Sequence, residues 1–421
     1  MREMKDSGIE WIGEIPRAWE LNKIGAIYEE RNTKVSDLEY EPLSVTKQGI
    51  VPQLETAAKT DNGDNRKLIR KNDFVINSRS DRRGSCGISE YEGSCSLINT
   101  VLKPRGNMNN KYYSFVFKSD NFADEFYRWG HGIVNDLWST KWSDMKNIYI
   151  PSPTIDEQRR IADYLDEKCA KIDAIIEKQQ KIIEKLKEYK LSVITEAVTK
   201  GLNPDAEMKD SGVEWIGEIP NHCCVTRAGH IYNIILGKML SPNPKDESDT
   251  LDSYYCAANV HFEGVDNSSL KQMWFSEGEK EQYLVKKDDL LVVEGGAGAG
   301  GAAIVKEDDE NVYVQNSIMI VRNDNPTLNR WLYYTLYSLV KREYIDLICN
   351  KATIPHFTKE KLGNVPVVLF SEDEIEEMVS YLSDKCNSIE KTIHDRENTI
   401  EKLKEYKKSL IYEVVTGKRE V

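Results

Sequence analysis

The chain has 421 residues, of which 40% are hydrophobic and 30% are charged, and its formal net charge is −13 at pH 7. This length suits two to three domains, and the composition is ordinary for a soluble globular protein. No apolar run approaches the roughly 20 residues of a membrane span, and the N-terminus lacks the apolar core of a secretory signal, so we expect a cytoplasmic protein. The acidic total argues against a uniformly basic surface but permits a local basic face that binds nucleic acid.

Two stretches of sequence occur twice, in the same order. Residues 4–16 read MKDSGIEWIGEIP and residues 208–220 read MKDSGVEWIGEIP, while EKLKEYK occupies both 184–190 and 401–407. We call the first pair marker 1 and marker 2. Repetition in a fixed order indicates that one unit of about 200 residues has been duplicated, so the chain is predicted to hold two related binding units.

The variable segment after marker 1, residues 17–150, reads as short strands mixed with helices. We predict a strand over 73–76, an aromatic helix over 112–117 and a closing strand over 148–150. Residues 66–83, which include the first of these strands, form the most basic stretch of the chain. Arg and Asn can bind base edges, and Ser and Gly allow close approach to phosphate. The candidate DNA-binding residues here are Arg66, Lys67, Arg70, Asn77, Ser78, Arg79, Ser80, Arg82 and Arg83; the alternative is a solvated loop.

A long helix is predicted next. Thr154 and Glu157 form a capping-box pattern behind Pro151 and Pro153, and no further Pro or Gly occurs before Gly201. The apolar residues follow heptad-like spacing, which requires a partner for the apolar stripe, and the natural partner is the second long helix. The predicted seam residues are Leu165, Ile172, Ile175, Ile182 and Leu186.

The second half repeats this order. We predict a strand over 289–293, an aromatic helix over 331–336, a closing strand over 365–367 and a helix that begins after the Ser371–Glu374 capping box and ends at Gly417. Its predicted seam residues are Leu382, Ile389, Ile393, Ile400 and Leu403. Candidate DNA-binding residues are fewer in this half: Lys271, Gln272, Asn316, Lys351, Thr353 and His356.

The glycine-rich stretch 296–301 matches GxGxxG but runs from strand to strand, whereas a dinucleotide site needs a helix after the glycines. We interpret it as a close-approach loop or an ordinary turn. No P-loop, amino-methyltransferase tetrapeptide or convincing nuclease cluster is present, and the eight cysteines form no CxxC. We therefore expect no catalytic residue, no metal and no bound cofactor. A stand-alone methyltransferase or nuclease, and a coiled-coil adaptor for protein partners, remain the alternatives.

These observations together predict an α+β fold with a pseudo-twofold internal repeat. Its two globular domains of mixed α/β structure are separated by two long helices that pair in either direction. The predicted boundaries are a first domain with its marker at 1–150, a central helix at 151–201, a second domain with its marker at 202–367 and a C-terminal helix at 368–421.

The joint pattern resembles the specificity (S) subunits of type I restriction-modification systems over the whole chain. The residues that carry this resemblance are the DSGIEWIGEIP and DSGVEWIGEIP markers, the PSPTIDEQRRIADYLDEK entry into the long helix at 151–168, and EKLKEYKLSVITEAVTKG at 184–201. The resemblance implies that the variable segments are target recognition domains, each reading half of a bipartite site on double-stranded DNA. It also implies that the two helices form an antiparallel coiled coil that sets the spacer between the half-sites.

The implied partners are two methyltransferase (M) subunits, which carry the S-adenosylmethionine chemistry, and motor-nuclease (R) subunits. The S subunit itself is implied to be non-catalytic, in agreement with the motif search.

Overall fold

The computed structural model describes residues 2–55, 63–132, 138–296, 298–307, 311–349 and 356–421. The chain divides into two units: unit 1 comprises Met1–Gln180 with Glu397–Val421, and unit 2 comprises Lys181–Arg396. Each unit therefore contains one marker, one variable segment, the first part of one long helix and the last part of the other.

In the described residues of unit 1, the strands are β1 Met4–Asp6, β2 Glu14–Pro16, β3 Glu20–Lys23, β4 Tyr28–Glu30, β5 Lys34–Val35, β6 Leu43–Thr46, β7 Gly49–Pro52, β8 Arg66–Ile69, β9 Phe74–Asn77, β10 Cys86–Ile88, β11 Gly93–Cys95, β12 Asn99–Pro104 and β13 Tyr149–Ser152. They form two main sheets, β10-β9-β12-β4 and β11-β8-β5, and three two-stranded pairs, β1-β2, β6-β7 and β3-β13. Its helices are α1 Ile24–Ile27, α2 Asn110–Lys118, α3 Asp120–Arg128, α4 Trp142–Met145 and the start of α5 Ile155–Lys200, with a 3₁₀ turn at Ser80–Arg82.

Unit 2 repeats this plan. Its strands are β14 Met208–Asp210, β15 Glu218–Pro220, β16 Cys224–Arg227, β17 Asn233–Leu236, β18 Thr250–Tyr255, β19 Val260–His261, β20 Gly264–Val265, β21 Lys271–Phe275, β22 Leu290–Val293, β23 Ala302–Ile304, β24 Val312–Val314, β25 Ile318–Arg322 and β26 Pro366–Leu369. They form the sheets β23-β22-β25-β17 and β21-β18-β24 and the pairs β14-β15, β16-β26 and β19-β20. Its helices are α6 Glu277–Tyr283, α7 Pro326–Lys341, α8 Tyr344–Ile348, α9 Lys359–Gly363 and the start of α10 Glu372–Val415, with 3₁₀ turns at Ala228–His230 and Ala257–Asn259.

Both units build the start of the central strand in the same way. β9 and β22 each follow a tight turn at a residue with positive φ, Asn72 (71°) and Asp288 (65°). The next residue is a buried aspartate bound by an arginine: Arg31 Nε lies 2.6 Å from Asp73 Oδ2, and Arg322 Nε lies 2.7 Å from Asp289 Oδ1. The hydrogen bond to Asp73 raises the pKa of Arg31. A buried carboxylate needs such a partner, so this ion pair fixes where the strand begins.

The aromatic helices dock on the closing strands through matching hydrogen bonds. The Tyr112 hydroxyl of α2 lies within hydrogen-bond distance of two carbonyls, Val415 at 2.9 Å and Pro151 at 3.3 Å, and Trp331 of α7 donates its indole N–H to the Val368 carbonyl (3.1 Å). Both rings are buried in the main apolar core of their unit. The two positions are structurally equivalent, although the residue types differ.

Both long helices begin and end where the sequence predicts. Thr154 Oγ1 accepts from the Glu157 N–H (3.3 Å), and Ser371 Oγ accepts from the Glu374 N–H (3.4 Å). Gly201 and Gly417 follow the helix ends with φ of 76° and 72°, the left-handed conformation that glycine adopts without strain. Continuous helices therefore run over 46 and 44 residues.

Within each unit the helix segments run antiparallel. In unit 1, Lys407 Nζ lies 2.6 Å from Asp173 Oδ2, and Arg2 bridges Glu157 near the start of α5 to Glu420 after the end of α10. In unit 2, Lys190 Nζ lies 2.5 Å from Glu390 Oε1, and Gly201 adjoins the Phe370 ring, which precedes α10. The predicted mixed fold, with two long helices that pair antiparallel and an internal repeat, is confirmed.

The seam of the helix pair differs in part from the predicted one. Ile175 and Ile182 are exposed (43% and 36%), and their neighbours Ile176 and Ile183 are half-buried and buried in their place. The other predicted seam residues are fully buried (Leu165, Ile172, Leu382, Ile389 and Ile400) or half-buried (Leu186, Ile393 and Leu403). The seam of α5 thus follows 165, 169, 172, 176, 179, 183, 186 and 190, a regular alternation of four and three residues. Within the described part of the chain, no helix has the length and apolarity needed to cross a membrane.

Candidate nucleic-acid interface

The loop that follows β9 in unit 1 is shaped by buried polar groups. Asn77 Oδ1 accepts from the Arg79 N–H (3.1 Å), and the Asn77 N–H donates to the Ser85 carbonyl (2.9 Å), which closes the loop. The Ser78 hydroxyl and N–H both donate to the Ile98 carbonyl, which ties the loop to the segment before β12. Asn77 and Ser78 are themselves buried, so they fix the backbone that presents Arg79, Ser80 and Arg82.

A third segment, far away in sequence, lies beside this loop. Arg79 and Ser139 form an antiparallel bridge, the Ser80 N–H donates to the Trp138 carbonyl (3.1 Å), and the Thr140 N–H donates to the Ser78 carbonyl (3.0 Å). Ser139 also pairs with His131, whose side chain is exposed. We call the surface formed by the 78–85 loop, the 96–99 segment and the 138–140 segment face 1.

Unit 2 contains the same three-segment arrangement. Gly295 and His356 form an antiparallel bridge, the Phe357 N–H donates to the Glu294 carbonyl (2.6 Å), and the Glu294 N–H donates to the Ser317 carbonyl (2.8 Å). The Gly295–His356 bridge corresponds to the Arg79–Ser139 bridge of unit 1. The bonds from the Phe357 and Glu294 N–H groups correspond to the bonds from the Thr140 N–H to Ser78 and from the Ser78 N–H to Ile98. We call the surface formed by residues 294–296 and 298–301 of the loop, the 315–317 segment and the 356–357 segment face 2.

The two faces share a backbone frame but carry different chemistry. Arg82 is the most exposed cation of the face 1 loop, with 67% of its side chain exposed, and Arg79 is half-buried beside it. Face 2 has glycines in the loop, and the His356 ring lies 3.7 Å from the Glu294 carboxylate. Face 1 can therefore offer guanidinium donors, while face 2 offers an acceptor, an imidazole and close backbone approach.

Five predicted cations of unit 1 have partners within the protein, and one of them, Arg82, has its Nε 3.4 Å from Oδ2 of the neighbouring Asp81. Arg66 and Lys67 are buried in β8, where Arg66 Nε donates to Ser94 Oγ (2.8 Å) and Lys67 Nζ donates to the Asn99 carbonyl (2.9 Å). This burial removes Arg66 and Lys67 from any DNA-reading surface. Arg70 pairs with Glu92, and a hydrogen bond from Arg83 to Asp124 raises the pKa of Arg83. The two pairs are exposed, so these arginines stay accessible although they are already neutralised.

The predicted residues of unit 2 are only partly brought together. His356 lies on face 2, and Asn316 lies in its 315–317 segment, where its N–H donates to the Lys238 carbonyl (2.8 Å). Lys271 and Gln272 are exposed on β21, the edge strand of the three-stranded sheet, and no contact in the described part of the chain joins them to Gly295 or His356. Lys351 and Thr353 lie outside the described residues.

Sequence reasoning missed the segment that completes face 1. Trp138 and Ser139 lie more than 50 residues after the basic loop, His131 pairs with Ser139, and no motif marks these residues. A signal was nevertheless present, because His356 was a candidate in the second half. The repeated helix sequence EKLKEYK has an offset of 217 residues, and the residue 217 positions before His356 is Ser139.

Comparisons with known proteins agree on one family. A model of the type I restriction modification DNA specificity domain matches residues 16–188 and 226–402. A protein of Methanocaldococcus jannaschii, provisionally named the type I restriction enzyme MjaX specificity subunit, is 26% identical over 254 residues, which span 54% of this chain and 56% of that protein.

Two solved structures share the fold across nearly the whole chain. A chain from work on complex assembly and conformational transition of the type I R-M system matches with a TM-score of 0.72 at 14% identity, covering 95% of this chain and 98% of that one. The HsdS subunit from Thermoanaerobacter tengcongensis matches with a TM-score of 0.53 at 16% identity, covering 96% and 98%.

Proposed function

Because the chain belongs to the type I restriction modification DNA specificity family, we propose that it is the DNA-recognition subunit of a type I restriction-modification system. In this proposal face 1 and face 2 each read one half of a bipartite site on double-stranded DNA. The observation that supports it is the repetition of one backbone frame with different side chains. Two readers with the same frame and different chemistry suit an asymmetric site.

The side chains of each face suit different base edges. Arg79 and Arg82 can donate in bidentate fashion to guanine O6 and N7 in the major groove. Glu294 can accept from the amino group of cytosine, and the glycines after it let the backbone approach the groove closely. Arg70 and Arg83 are already paired with Glu92 and Asp124, so we assign them no contact with DNA phosphate.

In the same proposal the two long helices hold partner proteins and set the distance between half-sites. Two methyltransferase subunits carry S-adenosylmethionine and the chemistry on adenine, and motor-nuclease subunits complete the restriction complex. This chain then contributes recognition and no catalytic group. Linking two modest readers raises their joint affinity through effective concentration, provided that the spacer of the DNA fits.

Mapping methylated adenines in a host that carries this chain and its methyltransferase partner tests the proposal. The wild-type chain should give one bipartite motif. An Arg79→Ala/Arg82→Ala variant should relax the sequence of one half only, because each lost bidentate contact removes about 1–3 kcal/mol of discrimination. His356→Ala should affect the other half only.

Lys71→Ala is the matched control, because Lys71 is an exposed cation of unit 1 that pairs with Glu90 and lies in the turn before β9. Its motif should stay unchanged. A contiguous palindromic motif, or a change in both halves caused by the Arg79→Ala/Arg82→Ala variant, would contradict the assignment of one half-site to each unit.

A further inference from the structure

The end of each long helix packs against the marker of its own unit, and the two contacts can be compared residue by residue. In both markers a hairpin closes through equivalent bonds, Ser7 N–H to the Gly13 carbonyl (3.1 Å) and Ser211 N–H to the Gly217 carbonyl (2.9 Å). Ile12 and Ile216 are buried against the last turns of α10 and α5 respectively. The framework of the contact is therefore the same in both units.

In unit 1 two side chains of the C-terminal segment fill the space beside the marker. The Tyr412 hydroxyl and Lys418 Nζ both donate to the Ile12 carbonyl, at 3.1 and 2.9 Å. Lys418 Nζ also lies 4.2 Å from the centre of the Tyr412 ring, within the range of a cation–π contact. A phenol and an ammonium group thus bind one backbone carbonyl together.

In unit 2 the equivalent positions hold shorter or apolar residues. Thr195 corresponds to Tyr412, because Thr199 and Thr416 bond back to the carbonyls of these two residues at the same distance, 2.6 Å. The Thr195 hydroxyl instead shares a hydrogen bond with Ser338 (2.7 Å). The same offset of 217 residues places Gly201, which has no side chain, where unit 1 has Lys418.

The space left by these replacements is a groove of about 700 Å³. Its floor includes Thr195, Trp215, Ile216 and Gly217, so the marker backbone that Tyr412 and Lys418 bind in unit 1 borders an open volume in unit 2. Four carboxylates line the groove, Glu188, Glu196, Glu214 and Glu218, against the two cations Lys200 and Arg342. Arg342 already donates to the Trp215 carbonyl (2.9 Å), so the groove favours a positively charged occupant.

We propose that this groove of unit 2 binds a basic, aromatic segment of a partner protein, whose phenol and ammonium groups take the places that Tyr412 and Lys418 occupy in unit 1. The groove is open in unit 2, whereas Tyr412 and Lys418 fill the equivalent space in unit 1. A partner protein can therefore distinguish the two halves of the chain. The inference concerns protein binding and does not depend on DNA recognition.

Titration of the full chain with a fluorescein-labelled Lys-Tyr-Lys-Tyr-Lys-Tyr peptide tests this inference without DNA. We expect one equivalent of peptide to bind. A peptide with Phe in place of Tyr should bind about three- to tenfold more weakly, because it loses one hydrogen bond of ordinary strength. A Glu-Tyr peptide should not bind.

The decisive variant gives unit 2 the tyrosine that unit 1 has at the equivalent position. Thr195→Tyr leaves the net charge unchanged and fills the groove, so it should weaken peptide binding at least tenfold while the circular dichroism spectrum and melting temperature are kept. In the opposite direction, Tyr412→Thr/Lys418→Gly should open a second groove and raise the stoichiometry from one to two.

Absence of binding to the wild-type chain, or equal binding to the Thr195→Tyr variant, would overturn the inference. Self-association of the chain that Thr195→Tyr abolishes, measured by sedimentation, would also overturn it, because the occupant would then be a second copy. Loss of peptide binding with unchanged DNA methylation would leave the proposed function intact.

Discussion

At the scale of single residues, the presented side chains depend on buried polar ones that never face the solvent. Lys238 in unit 2 is an example: its N–H donates to the Val314 carbonyl (2.9 Å), and its carbonyl accepts from Asn316 on face 2. Its ammonium group is buried and binds Glu279, which also accepts from the Ser276 N–H (2.9 Å) as the capping box of α6. The Glu279 carboxylate therefore binds both the start of α6 and Lys238, whose backbone supports face 2.

The titration of Glu279 predicts how the stability of unit 2 depends on pH. Burial raises the pKa of Glu279, but the hydrogen bonds from Lys238 and Ser276 outweigh it and lower the pKa to about 2. Because this value lies below the ordinary glutamate pKa of about 4.3, the stabilisation is complete above pH 4.3 and is lost as the pH falls towards 2.

We expect the free energy of unfolding of the wild type to exceed that of Glu279→Gln by a constant amount above pH 5, and the difference to shrink between pH 4.5 and pH 2. Urea unfolding at a series of pH values measures it. Glu281→Gln, on the exposed face of the same helix, is the control and should not alter stability at pH 7. A difference between wild type and Glu279→Gln that stays constant down to pH 2 would contradict this account.

At the scale of elements, the sequence predicts helix ends well and the seam of the helix pair less well. Caps and terminal glycines act locally, so Thr154 and Gly201 can be read without knowing the fold. Seam residues depend on where the partner helix lies. Ile175 and Ile176 are neighbours about 100° apart on the helix, and both suit an apolar stripe. The true seam also passes through Cys169 and Lys190, which an apolar pattern omits.

Two equivalent ion pairs between the helices predict unequal effects. Lys190–Glu390 in unit 2 and Lys407–Asp173 in unit 1 occupy matching positions, but only 10% of the Lys190 side chain is exposed, against 28% for Lys407. Lys190 also lies 4.7 Å from the centre of the Tyr337 ring. If Glu390 is replaced by a cation, the buried Lys190 faces a like charge with little water around it, which is costly. The more exposed Lys407–Asp173 pair contributes about 0–1 kcal/mol, so its loss costs less.

We therefore expect Glu390→Lys to lower the free energy of unfolding by about 2 kcal/mol and Asp173→Lys by less than about 1 kcal/mol. Chemical unfolding of each variant measures the two values. The swapped variant Lys190→Glu/Glu390→Lys should recover part of the loss, because the pair is restored with reversed polarity. Equal losses for Glu390→Lys and Asp173→Lys would show that burial does not decide the strength of these pairs.

At the scale of the whole molecule, duplication has kept the frame and changed the surfaces. The buried aspartates Asp73 and Asp289 keep their arginine partners, and Tyr112 and Trp331 keep the bond to the closing strand. The sequence repeat finds the markers and the helices because their residues are alike. Residue type does not align Arg79 with Gly295, since their side chains do not agree. The backbone bridges to Ser139 and His356 show that these positions correspond.

The length of the long helices predicts the length of the DNA spacer under the proposed function. Both helices continue through the boundary between the units, at Gln180 in α5 and Arg396 in α10. Repeating residues 174–180 and 390–396 adds seven residues to each helix, preserves the seam and lengthens each by about 10 Å. At about 3.4 Å per base pair, the unread spacer of the methylated motif should grow by about three base pairs, while both half-site sequences stay the same.

Inserting the seven residues into one helix alone should abolish methylation, because the two helices would no longer match in length. Retained methylation with an unchanged spacer in the double insertion would mean that the helices do not set the distance between the half-sites.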